Sequence, residues 1–206
     1  IQNKALELSL FLSLPASFAL IFASEEITSS LFGYGSFDTE SVKNSAKALF
    51  YFSLGLPAFS LIKIFSSFLF ARNDTNTPFK ISIISVIVNI LISVIFFNSI
   101  GFIIIPIATT ISSWLNGIIL MILVINKGYF KFSSDFHFSI LKILFSNFIT
   151  LTIFIYLIKL FSEYLTYENN YKFLCIIILV VITFIVYIFI SIITKAFKIS
   201  DIKIKY

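Results

Sequence analysis

Lys63 is the residue best placed for chemistry in this chain, a lone cation inside an apolar stretch, eight positions before Ala71. At 1.5 Å per helical residue it lies about 12 Å from that helix end. Two roles are open to it. The side chain can snorkel to the membrane interface, or its ammonium can stay buried and meet an anionic substrate or a carboxylate. On the same helix Ser53, Pro57, Ser60, Lys63 and Ser67 share an arc of about 120° at about 100° per residue. Ser82, Ser85, Asn89 and Ser93 form a second stripe, and Thr109, Ser112, Ser113, Asn116 and Gly117 a third. Such residues either let helices pack closely and share hydrogen bonds or line a common polar interior. Pro15, Pro57 and Pro106 each remove a backbone donor from a helical stretch. Gly55 beside Pro57 makes that helix the hinge candidate, a static kink being the alternative.

Catalytic constellations are missing from the pattern. The single histidine, His137, falls in a weakly patterned loop, and the single cysteine, Cys175, sits in an apolar run. There is neither metal-ligand spacing nor a paired carboxylate or nucleophile arrangement. The expectation is a protein that is not an enzyme and holds no metal or cofactor.

Six long apolar segments position these residues, at roughly 5–23, 48–70, 79–97, 102–125, 140–161 and 173–194. Each approaches the ~20 helical residues that cross a hydrocarbon core of about 30 Å. Mean hydropathy is +1.04 and only 12% of the 206 residues are charged, half the ~25% of a soluble domain. Unbroken runs without dyad alternation exclude a barrel. The fold expected is all-α, a polytopic bundle of six membrane-spanning helices. Ten Lys and Arg, from Lys4 to Lys205, fall on one side of these spans, and Lys43, Lys47, Lys159 and Lys172 on the other. The positive-inside rule then places both termini of the segment in the cytoplasm. Anionic lipid headgroups account for the net charge of +5 without nucleic acid. The first span starts almost at residue 1, which is Ile, so the chain reads as part of something larger.

Two loops carry more specific information. Leu31-Phe32-Gly33-Tyr34-Gly35-Ser36-Phe37 precedes Asp38, Thr39 and Glu40, a glycine-permitted turn leading into an acidic helix start. Ala71-Arg72-Asn73-Asp74-Thr75-Asn76-Thr77-Pro78-Phe79-Lys80 follows the Lys63 helix. There Thr77 can cap the next helix with Pro78 at its first position, and Arg72 can pair with Asp74 across the turn.

Together FGYGSF, GLPAFSLIKIFSSFLFARNDTNTPFKI and Asn89 closely resemble the MurJ (MviN) family of lipid II flippases, within the multidrug/oligosaccharidyl-lipid/polysaccharide exporter superfamily. The match runs from about Leu14 to Lys127, and residues 129–206 agree in hydropathy and topology. The resemblance implies the C-terminal portion of a two-lobed, fourteen-helix transporter. Residues 1–128 would be a four-helix part of the second lobe and 129–206 two additional helices lining a lipid-tail groove. Lys63, Arg72, Asp74, Thr77, Pro78 and Asn89 match the family pattern. With Ser60 they are the candidate cavity or gate residues, and Gly55, Pro57 and Pro78 the candidate hinge. The implied function is movement of a lipid-linked peptidoglycan precursor across the bacterial inner membrane by alternating access. The partners implied are that precursor, membrane lipids and an N-terminal lobe outside this chain. Rival readings are another polysaccharide-lipid or drug exporter, a membrane-embedded transferase, and a non-transporting fragment.

Overall fold

The computed structural model describes residues 2–196, all of whose regular structure is helical. In chain order the long helices are α1 (Gln2–Phe22), α2 (Ser24–Phe32), α3 (Thr39–Phe70), α4 (Asn76–Ile100), α5 (Ile104–Asn126), α6 (Ser134–Leu160) and α7 (Lys172–Ile193). Among the described residues five stretches are long and apolar enough to cross a membrane, one of them Asn76–Asn126. That stretch is broken at Gly101 (φ +74°) into α4 and α5, so the six expected helices are present. Lys198, Lys203 and Lys205, part of the charge count, lie outside the described residues.

Two boundaries differ from the hydropathy reading because polar turns extend the helices. α3 starts at Thr39 rather than near 48, its first turn capped by Asp38, whose Oδ1 accepts the Ser41 N–H at 2.8 Å. α6 starts at Ser134, which puts His137 on a helix, packed edge-on to Phe136. α2 has no counterpart among the expected spans. It is nine residues long, too short to cross, and it buries Thr28, Ser29 and Ser30.

The chain forms two compact units, and it passes between them inside α1 after Ser17, inside α3 after Phe50, and after Ser133 just before α6. The first unit contains the start of α1, the later part of α3, α4 and α5. α4 and α5 form an antiparallel hairpin in which Asn89 Nδ2 donates to Thr109 Oγ1 (3.1 Å) and Ser112 Oγ (3.3 Å). Gly55 lets α3 and α5 approach, since a Cβ there would stand 3.2 Å from Thr110 Oγ1, whereas one on Gly117 would meet the Ala58 carbonyl at an ordinary contact distance of 3.5 Å.

Pro57 has no N–H to give the Ser53 carbonyl one turn earlier. Ser17 of α1 supplies the donor, its Oγ 2.6 Å from that oxygen. Thr110 Oγ1 and Trp114 Nε1 of α5 donate to the neighbouring carbonyls of Tyr51 (2.6 Å) and Leu54 (2.9 Å). The proline is thus braced from two sides. Ser17→Ala is expected to cost about 1 kcal/mol, the usual worth of such a bond. In a Pro57→Ala background, where residue 57 regains its N–H, the cost should vanish. Thermal unfolding of the four variants checks this, and an equal loss in both backgrounds would refute the account.

The second unit contains α2, the start of α3, α6 and α7. Ala23, Phe154, Ile158, Leu165, Ile176 and Leu179 form its apolar core. α6 and α7 also share a polar seam invisible in hydropathy, with Ser146 and Thr194 hydroxyls 2.8 Å apart and Asn147 Nδ2 3.4 Å from the Tyr187 hydroxyl.

Candidate functional site

The candidate charged residues meet where α3 turns into α4. α3 ends in a Schellman turn: the Asp74 N–H reaches the Leu69 carbonyl (3.0 Å) and the Asn73 N–H the Phe70 carbonyl (2.9 Å). Asn73 takes the left-handed conformation, φ 58°, which Asn tolerates better than most residues. α5 ends in the same motif. Tyr129 N–H bonds the Val124 carbonyl (3.0 Å) and Gly128 N–H that of Ile125 (2.9 Å), with Gly128 at φ +70°.

These turns bring residues 53 apart into contact. Lys127 Nζ lies 2.8 Å from Asp74 Oδ2. The carboxylate also accepts the Thr77 N–H at 3.0 Å through Oδ1 and the Thr77 hydroxyl at 2.8 Å through Oδ2. Arg72 donates to the Phe68 carbonyl (2.8 Å) and lies over the Tyr129 ring at 4.4 Å.

Two local expectations are corrected here. Asp74 pairs with Lys127 and not with Arg72, because the Schellman turn aims its carboxylate forward along α4 while the arginine folds back over α3. Asp74, and not Thr77, caps α4, and Pro78 is the third residue of that helix, buried in its first turn.

The electrostatics agree with the geometry. The Lys127 ammonium, then the Thr77 hydrogen bonds, hold the Asp74 carboxyl down at about 2, and Asp74 in turn raises Lys127. Asp74 sits at a helix N-terminus and Arg72 and Lys127 at helix C-termini, each favoured by the macrodipole. A carboxyl whose pKa falls on folding stabilises above its unfolded value of 3.8, and that contribution is lost as pH drops towards about 2. At neutral pH the pair is fully charged, yet exposed enough to be opened by competing ions.

The remaining candidates lie elsewhere in the first unit. Lys63 is exposed on α3, its carbonyl accepting the Ser67 hydroxyl at 2.8 Å. Ser60 is half-buried and Ser53 buried on the same helix. Asn89 is half-buried, its amide engaged in the α4–α5 bonds given above. Asn116 is buried with its side-chain oxygen unpartnered. Gly55 and Pro57 lie at the α3–α5 approach. Lys127, Tyr129 and Ser17 were not singled out by the sequence. The carbonyl orphaned by Pro57 predicts that some donor exists, whereas nothing local marks Lys127.

A helical bundle of membrane-crossing length, with polar side chains kept between its helices and charge gathered at helix ends, defines a polytopic membrane protein. The model of the family described as lipid II flippase MurJ matches residues 1–174, and the chain belongs to that family. It is 40% identical over 116 residues to the probable lipid II flippase MurJ of Rickettsia prowazekii (strain Madrid E), covering 56% of this chain and 23% of the relative. Identity is again 40% over 129 residues to the Rhizobium meliloti (strain 1021) protein of the same name, covering 63% and 24%. A solved structure titled lipid II flippase MurJ, inward closed conformation, is similar with a TM-score of 0.74 at 28% identity, over 94% of this chain and 38% of that one. The chain therefore spans about a quarter of the length of those curated relatives.

Proposed function

We propose that this chain is the C-terminal part of a flippase that carries a lipid-linked peptidoglycan precursor across the bacterial inner membrane by alternating access. The family match over residues 1–174 is the observation that supports it. The relatives are named as lipid II flippases, and a charged lipid headgroup needs such help because burying unpaired ions in hydrocarbon is prohibitive. In this reading residues 1–128 belong to the second lobe and 129–206 are appended helices, an N-terminal lobe completes the cavity, and both ends of the segment are cytoplasmic. Lys63 and Ser60 contribute polar wall. Pro57, beside Gly55, is the flexing point of α3, the helix within which the chain passes from one compact unit to the other. The Asp74–Lys127 pair, with Arg72 on Tyr129 and Thr77 and Pro78 at the turn, acts as a gate that opens and recloses cheaply.

The test is made in a full-length protein containing this chain, in a bacterium depleted of its own flippase. The unaltered protein should restore growth and export of the lipid-linked precursor. Arg72→Ala and Asp74→Ala should each cut export by about tenfold, as changes at a gate do when they alter how often it opens and closes. Normal export by both variants dismisses the gate. Correct insertion without any export by the unaltered protein dismisses the flippase in favour of another exporter or a non-transporting chain.

A further inference from the structure

The second unit contains a cation that the proposed transport does not use. Lys172, the first residue of α7, would be expected to be a solvated loop charge, yet it is 1% exposed. Its Nζ donates to the carbonyl oxygens of Gly33 (2.6 Å) and Tyr167. The ammonium also lies over two aromatic faces, 4.4 Å from the Tyr34 ring centre and 4.5 Å from that of Tyr167. No carboxylate stands within ion-pair distance of it among the described residues. Two carbonyl dipoles and two π faces make a neutral cage, the kind of environment that recognises ammonium ligands by cation–π attraction.

The cage is assembled from two distant segments. Gly33 and Tyr34 come from the loop after α2, and Tyr167 from the connection between α6 and α7. Tyr167 also donates its hydroxyl to the Phe37 carbonyl at 2.8 Å, and Tyr34 donates its own to the Ser30 carbonyl at 3.0 Å. The α6–α7 connection holds one short 3-10 turn, Ser162–Tyr164, and the ammonium bonds a carbonyl on each segment.

We infer that Lys172 is an internal ammonium ligand, a latch that closes the 33–37 loop onto the start of α7 by filling a receptor made of Tyr34, Tyr167 and two backbone carbonyls. Both glycines of the FGYGSF motif serve that receptor, Gly33 by leaving room for the Tyr167 ring and Gly35 by turning the chain at φ +60°. With no anionic partner to be screened, the latch holds at salt concentrations that loosen exposed ion pairs.

The experiment uses the full-length protein in detergent and reads amide hydrogen exchange, which does not depend on transport. Lys172→Ala removes the three methylene groups and the ammonium beyond Cβ, so n-propylammonium completes the truncated side chain. Exchange should quicken by about tenfold or more in 33–37 and 166–172 together. Propylammonium should restore protection, and n-propanol, similar in shape but uncharged, should not. Unchanged exchange, or equal rescue by both compounds, overturns the latch. Should the variant fail to fold, the unaltered protein decides by labelling with a polar amine-reactive reagent. Lys172 is expected to stay unmodified while exposed Lys43, Lys47 and Lys159 react. Modification of Lys172 as fast as theirs refutes the proposal.

Discussion

Phe130→Ala is expected to destabilise the first compact unit by about 3–4 kcal/mol, in line with truncation of a fully buried aromatic. Phe130 is 1% exposed and lies at the centre of a four-ring cluster. Its ring centre is 5.7 Å from Phe65, edge-on, 5.8 Å from Phe68, stacked, and 4.9 Å from Phe132, edge-on. Offset and edge-to-face arrangements of this kind add about 0.5–1.5 kcal/mol per pair beyond burial. The residue also follows Gly128 and Tyr129 directly, so it anchors the segment that presents Lys127 to Asp74. Phe132 touches the same cluster from an exposed position, and Phe132→Ala should cost about 1 kcal/mol, one aromatic pair's worth. Thermal unfolding of the purified variants compares the two. Equal losses would mean that the cluster does not hold the connection after α5.

What the sequence made legible, and what it did not, follows from the range of the forces involved. The membrane spans were readable because bilayer thickness sets a local length requirement, and the acidic start at Asp38 because the macrodipole acts within the first turn; that Asp38 caps α3 came from the structure. α2 escaped notice because nine residues with Glu25 and Glu26 in the first turn carry too little apolar signal. Asp74 was legible as a charged turn residue matching the family pattern but not its partner, since Lys127 arrives through two helix ends and a hairpin fold. Asn89 was correctly placed on a polar stripe, yet whether the stripe faces a cavity or another helix depends on the position of α5. Lys172 was the hardest case. A lysine flanked by Tyr171 and Asn170 at a helix start reads as solvated, and its burial is decided by Gly33 and Tyr34, more than 130 residues away. Contacts of that separation leave no periodicity to detect.

Gly33→Val should destabilise the second unit by about 2–3 kcal/mol, the upper range for overpacking a filled site. A Cβ on Gly33 would stand 2.6 Å from the Ser29 carbonyl oxygen and 3.1 Å from the Tyr167 ring. The oxygen is backbone and cannot swing aside, and it already accepts the Gly33 N–H at 2.9 Å. Relief therefore requires the end of α2, which leads into the Gly33 carbonyl, to unwind and the Tyr167 ring to shift, and either movement opens the cage around Lys172. Gly35, two residues on, tests the reasoning by contrast. A Cβ there meets nothing within 4 Å, and its substitution costs only the left-handed backbone penalty of roughly 1–2 kcal/mol. Gly35→Ala should accordingly be the milder variant in thermal unfolding and should leave Lys172 shielded from amine-reactive reagents. Gly33→Val should expose it. If Gly35→Ala proves the more harmful, or if Lys172 stays shielded in Gly33→Val, then crowding against Tyr167 is not what requires glycine at position 33.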